Sequence, residues 1–154
     1  MASKRTEWIL MGVGIVAVIL LVLFVRHHAG PATTTVVKQT LPAAELPEKF
    51  PLNIPIDKTA PVQSNYTAQA STGGWQSTRT FTTTSSLDQN FALYKDYFDK
   101  DGWTIRASKN EADYKALLAI KDGVRAQVII NTKAGDTTGT NMVQISILTQ
   151  DQNH

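Results

Sequence analysis

Residues 86–103 read SLDQNFALYKDYFDKDGW, and a helix with both of its ends is written into them. Ser86 and Gln89 make a Ser-x-x-Gln capping box, which satisfies two orphan amide donors at a helix start. Leu87, Phe91, Tyr94 and Phe98 follow a 0, 4, 7, 11 spacing and form one apolar stripe. Gly102 suits the left-handed position just past a helix, and in a Schellman ending Trp103 packs back on Phe98. The start, face and stop agree, and they predict a helix from about Leu87 to Asp101.

Strands are expected on both sides of it. Downstream, Trp103–Ala107 reads as a short strand and residues 108–112 as a turn. Asp113–Ile120 and Val124–Thr132 flank Lys121-Asp122-Gly123 as a hairpin. A two-residue Asp-Gly turn pairs Lys121 with Val124 and sets Leu118 opposite Gln127; a three-residue loop with Gly123 left-handed pairs Ile120 with Val124. The longer loop puts Tyr114, Ala116, Leu118 and Ile120 on one face with Val124, Ala126, Val128 and Ile130, and pattern consistency selects it. A polar loop, 133–141, leads to a last strand, Met142–Gln150, with Val143, Ile145 and Ile147 inward. Upstream, Pro61–Gln69 and Trp75–Thr84 are extended. The second places Trp75 and Phe81 on one face and Thr78, Thr80, Thr82 and Thr84 on the other, as suits a solvated sheet face. Apart from the short piece leaving the helix, the expected order is ββαβββ. This is an α+β two-layer domain, an antiparallel sheet with one helix packed on one face.

The N-terminal third has a different character. Ile9–Val25 reads ILMGVGIVAVILLVLFV without a charge, and a bilayer span needs about 17–25 apolar residues. Trp8 serves as an interfacial anchor, and Lys4, Arg5 and Arg26 flank the run. A cleaved signal peptide has a shorter apolar core, of about 7–15 residues, and a small-x-small cleavage site; here Arg26-His27-His28 closes the run instead. The reading is therefore a short cytoplasmic tail (1–8), an uncleaved transmembrane helix (9–25) in contact with the lipid bilayer, and a globular domain (51–150) on the far, extracytoplasmic side, followed by a tail (151–154). Residues 26–50, rich in Pro, Thr and Ala, read as a flexible tether reaching roughly 70 Å if extended.

Composition narrows the function. The 154 residues include no cysteine, so a disulfide framework, a thiolate metal site and a cysteine nucleophile are excluded. From Pro51 onward basic and acidic residues balance at ten each, which leaves no electrostatic footprint for nucleic acid. The three histidines, His27, His28 and His154, lie outside the predicted domain, so the usual zinc sites and histidine triads are not expected in its core. Placing Gly102 at position 6 of an EF-hand loop puts Tyr97 and Ser108 where the anchoring Asp and Glu belong. Asp96, Asp99 and Asp101 therefore read as a solvated helix face, with Asp96 pairing Lys100. Glu111 and Asp113 are ordinary turn chemistry. Ser108-Lys109 has the wrong spacing for a catalytic dyad, and Gly135–Thr140 lacks the lysine of a phosphate loop. Tyr66, Trp75 and Phe81 are the aromatic residues from which a binding patch could be built, although filling the sheet–helix core is their plainer role.

Phe50-Pro51-x-x-Ile54-Pro55-Ile56 and Tyr94-x-x-Tyr97-Phe98-x-x-x-Gly102-Trp103-Thr104-Ile105 resemble a family of uncharacterised, membrane-anchored bacterial proteins common in ultra-small candidate-phylum bacteria. The resemblance covers about residues 47–150, with Asp57-Lys58-Thr59-Ala60 standing where the family carries a Pro-Gly-Ala turn. It implies an N-terminal anchor and no established activity. The expectation is a non-enzymatic, membrane-tethered module of the cell envelope, without cofactor or metal, that binds a protein or envelope polymer through its sheet face or an edge strand. The alternatives are an envelope-acting hydrolase or transferase with a carboxylate site assembled by the fold, and a subunit of an envelope complex held by its transmembrane helix.

Overall fold

The structure is a computed structural model and describes residues 35–71, 73–132 and 139–150. The predicted span Ile9–Val25, its flanks Lys4, Arg5, Trp8 and Arg26, and the tail 151–154 lie outside the described residues. Among the described residues no helix is long and apolar enough to cross a membrane.

The elements are β1 (Val36–Thr40), β2 (Val62–Ala70), β3 (Gly74–Thr83), α1 (Leu87–Lys100), β4 (Thr104–Asn110), β5 (Tyr114–Lys121), β6 (Val124–Thr132) and β7 (Asn141–Gln150). They build one seven-stranded sheet in the order β1-β2-β3-β7-β6-β5-β4, antiparallel at every junction. The α+β class with one helix holds, but the order is βββαββββ rather than ββαβββ. β1 is the strand that was not expected, and β4 starts where a short strand was expected but runs on to Asn110, through residues expected to turn.

The helix forms as its ends dictate. Both hydrogen bonds of the Ser86–Gln89 capping box are present. At the other end Gly102 has φ 75°, the Trp103 amide donates 3.0 Å to the Phe98 carbonyl, and the two rings lie 5.5 Å apart. Phe98 is fully buried, among Tyr94, Trp103, Leu117, Val128, Ile130 and Ile145.

The hairpin differs from expectation. Lys121 pairs with Val124, and Leu118 pairs with Gln127. Asp122 and Gly123 have φ 48° and 77°, the two positive values of a type I′ turn, whose twist matches the flanking strands. Leu117 and Ala119 therefore face the helix, and Ala116, Leu118 and Ile120 the opposite side. Either face of β5 can be buried, so its pattern does not choose. The helix does: Lys115 and Lys121 now point toward α1 and meet its two ends. Lys115 Nζ lies 2.7 Å from Asp88 and Lys121 Nζ lies 3.1 Å from Asp101.

Residues 36–50 of the expected tether are part of the fold. Val36–Thr40 pairs along β2, and the chain then crosses the helix side of β2 and β3 as a strap of residues 41–60. Amide bonds of the i+3→i type close turns at Pro42–Glu45, Pro47–Phe50, Pro51–Ile54 and Asp57–Ala60. Phe50, Ile54 and Ala60, which end three of these turns, are buried in the main core. The prolines here restrict the chain to turns, whereas their abundance reads as a linker. Beneath the strap Arg79 is buried and donates 3.0 Å to the Glu45 carbonyl and 2.9 Å to the Ala43 carbonyl. Asn65 donates to the Pro42 and Glu45 carbonyls at 2.7 and 2.9 Å, and Ser77 donates to the Glu48 carbonyl. Burial lowers the Arg79 pKa, and backbone carbonyls replace the water that the cation has lost.

Candidate binding surfaces

Register decides which aromatic side chains can act together. In β3, Trp75 and Phe81 lie opposite Thr149 and Val143 of β7, on the helix side. Phe81 is a core residue. Trp75 sits at the far end of the strand, with Lys49 Nζ 4.9 Å from its ring centre and its indole donating 3.2 Å to Ser77 Oγ. Tyr66 pairs with Thr78 and therefore lies on the opposite face, where Lys38 Nζ is 4.1 Å from its ring centre. The three side chains do not share a patch.

The face opposite the helix carries a hydroxyl and amide row instead. Gln76 Nε2 donates to Thr78 Oγ1 at 2.9 Å and to the Tyr66 hydroxyl at 3.3 Å. Thr78 and Ser146 hydroxyls are 3.0 Å apart, and Ser64 donates to Thr80 at 3.0 Å. Burial raises the Tyr66 pKa. The threonines Thr78, Thr80 and Thr82 are buried, not solvated as expected; for Thr78 and Thr80 the hydroxyl hydrogen bonds are made to neighbouring side chains. Gln76 Oε1 is buried without a partner.

A second polar cluster closes α1. Asp101 Oδ1 accepts from Asn53 at 2.6 Å, and its Oδ2 accepts from the Trp103 indole at 3.0 Å and Lys121 at 3.1 Å. Lys121 also donates 2.6 Å to the Asp101 carbonyl, one of the helix's terminal acceptors. The Lys121 bond, aided by Asn53 and Trp103, lowers the Asp101 pKa. Burial and the adjacent Asp101 charge push Tyr97 up to about 12. These groups satisfy one another, so the cluster reads as a fastening of strap, helix and β5. Sequence reasoning placed Asp101 on a solvated face with Asp96 and Asp99. The Asp96–Lys100 pair does form, at 2.7 Å, while Asp101 is drawn to β5 by a partner twenty residues away.

Between the strap and the N-terminal half of α1 lies a cavity of about 300 Å³ lined by Pro55, Ile56, Asp57, Phe81, Tyr94 and neighbours. It brings one carboxylate, Asp57, whose pKa the Thr59 hydroxyl and amide lower. Among the described residues no three His, Cys, Asp or Glu side chains gather as a metal site.

The two edges of the sheet differ. Edge strands expose unpaired backbone groups, and proteins guard them with bulges and charges. β4 has a register irregularity between Ile105 and Ala107 and carries Arg106 and Lys109 along an exposed strand. β1 runs in unbroken register over five pairs, and Val37 on it is 67% exposed. Its one charge, Lys38, is drawn over Tyr66. Beside it, Thr35, Val37, Gln69, Ala70, Ser71 and Gly73 line a recess of about 340 Å³. No described strand pairs with the outer side of β1. No family model, curated protein or solved structure matches the chain.

Proposed function

We propose that this chain is a membrane-tethered, non-enzymatic binding module of the cell envelope that receives an extended polypeptide strand along the free edge of β1. In this reading Ile9–Val25 is the anchor, the N-terminus is cytoplasmic and the domain is extracytoplasmic, as in the membrane-anchored family that its Phe-Pro and Gly-Trp motifs resemble. The observation that carries the proposal is the contrast between the guarded β4 edge and the regular, exposed β1 edge. Strand addition draws affinity from main-chain hydrogen bonds and specificity from pockets for alternate side chains, and the open recess beside Val37 supports this reading. Among the described residues the cavity beside α1 carries one carboxylate, Asp57, where hydrolysis through two carboxylates needs a pair.

The test is site-specific photocrosslinking of the full-length protein in native membranes. A crosslinking side chain at Val37 is expected to capture a polypeptide, and one at Lys109 on β4 to capture none. Equal capture at both edges, or none at Val37, would refute strand addition at β1. Protease added to intact spheroplasts is expected to remove the domain; full protection would refute the outward orientation.

A further inference from the structure

The start of β1 and several turns converge on one end of the domain. Val36 lies opposite Ala70, the turn from β2 to β3 brings Gln69 opposite Trp75, and Gly74 meets Gln150, the last residue of β7. At the same end Asp122 and Gly123 turn β5 into β6, and α1 stops at Gly102 just before β4 begins at Thr104. We infer that this end rests on the lipid surface, with Leu52, Trp75 and Lys49 at the level of the headgroups. The inference rests on the proposed function above, in which Ile9–Val25 spans the bilayer. Because β1 begins at Val36, the link from that span is residues 26–35, ten in all. Ten residues reach at most about 35 Å, half the reach expected of a tether running to residue 50. The ten-residue strand β3 is itself about 33 Å long. The end that the link keeps within reach of the headgroups is therefore the one where β1 starts, and the β4–β5 turn at 111–113 lies a strand length farther out.

The side chains at this end suit a lipid surface. Phe50 and Ile54 are buried in the core, and the turn from Pro51 to Ile54 presents Leu52 outward between them. Among the described residues Leu52 is the most exposed large apolar side chain, at 93%. Asn53 beside it donates 2.6 Å to Asp101, which fixes the turn at the end of α1. Lys49, on the same stretch of strap, holds its ammonium 4.9 Å from the Trp75 ring centre, and the half-buried indole lies at the start of β3. Tryptophan is enriched at membrane interfaces, where its ring meets acyl chains and its polar edge meets headgroups. A lysine lays its stem along apolar surface and keeps its charge in water. Lys49, Lys121 and Arg125 bring positive charge to this end, and Glu48, Asp101 and Asp122 offset it, so the contact draws on apolar burial more than on lipid charge. Leu52 and Trp75 alone bind a bilayer weakly. The covalent link makes the contact intramolecular and raises its effective concentration.

The chain has no native cysteine, which allows nitroxide labels to be placed singly in the full-length protein. The variants are Leu52→Cys, Ala112→Cys in the exposed turn at the opposite end, and Val18→Cys within the predicted span. Each is reconstituted in vesicles of phosphatidylethanolamine and phosphatidylglycerol. Electron paramagnetic resonance then compares the label's accessibility to oxygen, which concentrates in lipid, with its accessibility to a water-soluble nickel chelate. The oxygen-to-nickel ratio at Leu52 is expected to exceed that at Ala112 several-fold and to approach that at Val18. Both Leu52 and Ala112 are exposed, so the labels leave the fold intact, as circular dichroism would check. A Leu52 label as accessible to nickel as the Ala112 label, with Val18 in lipid, would overturn the inference and leave the anchor reading in place. Equal immersion of Leu52 and Ala112 would overturn it as well, because neither end would then be preferred. A Val18 label that reads as water-exposed would refute the anchor itself, and the inference would fall with it.

Discussion

Replacing Leu117 and Leu118 with alanine, one at a time, tests the register on which the inner surface of the sheet depends. Leu117 is 1% exposed and lies opposite Val128 within the core that α1 covers. Leu118 is half-buried on the other side, opposite Gln127. A fully buried leucine cut to alanine loses its transfer free energy and leaves a cavity, together about 2–5 kcal/mol. The half-buried one loses about 1 kcal/mol of area burial. With a urea slope of roughly 1–2 kcal/mol per molar for a domain of this size, Leu117→Ala lowers the unfolding midpoint by about 2 M and Leu118→Ala by about 0.5–1 M. Urea denaturation of residues 35–154, followed by Trp fluorescence, reads both. The three-residue loop would exchange the two residues and turn Lys115 and Lys121 away from the helix. Leu118→Ala costing as much as Leu117→Ala, or more, would refute the two-residue turn and everything argued from it.

Two further outcomes follow from the strap and the helix stop. Arg79→Ala leaves the Ala43 and Glu45 carbonyls without their guanidinium donors and should cost about 2–3 kcal/mol. Amide hydrogen exchange should speed up first in residues 41–48, and uniform acceleration across the domain would contradict the latch. The folded-state pKa of Asp101 lies below its ordinary value of 3.8. Its stabilisation is thus complete above that value and lost as pH falls through the folded one. Asp101→Asn should flatten the acid limb of the stability–pH curve below about pH 4; an unchanged limb would show that the Lys121 contact contributes nothing.

The helix was legible because everything that makes it is local. Ser86, Gln89, Gly102 and Trp103 act within a turn of the residues they serve, so reading along the chain finds them. The apolar residues of β6 and β7 were legible for a related reason: Ala126 and Val128 alternate with Arg125 and Gln127, and Val143, Ile145 and Ile147 alternate with Gln144 and Ser146. Trp75 and Phe81 share a face in the sequence and in the sheet, yet no pattern within β3 says that Tyr66 belongs to the other side; pairing with Thr78 says it.

What the amino-acid sequence determined by itself is thus the one helix, the existence of most strands, the α+β class, and the absence of cysteine. Tertiary structure alone decided the face of β5, the place of β1 and the path of the strap. β5 carries apolar residues on both sides, so two lysines reaching Asp88 and Asp101 at opposite ends of α1 select its register. β1 is a five-residue edge strand whose pattern is too short to announce itself; it exists because β2 offers a partner. The prolines of 41–60 read as a linker because their turns become visible only when Phe50, Ile54 and Ala60 find the core, and the energy that holds them there comes from side chains far away in the chain.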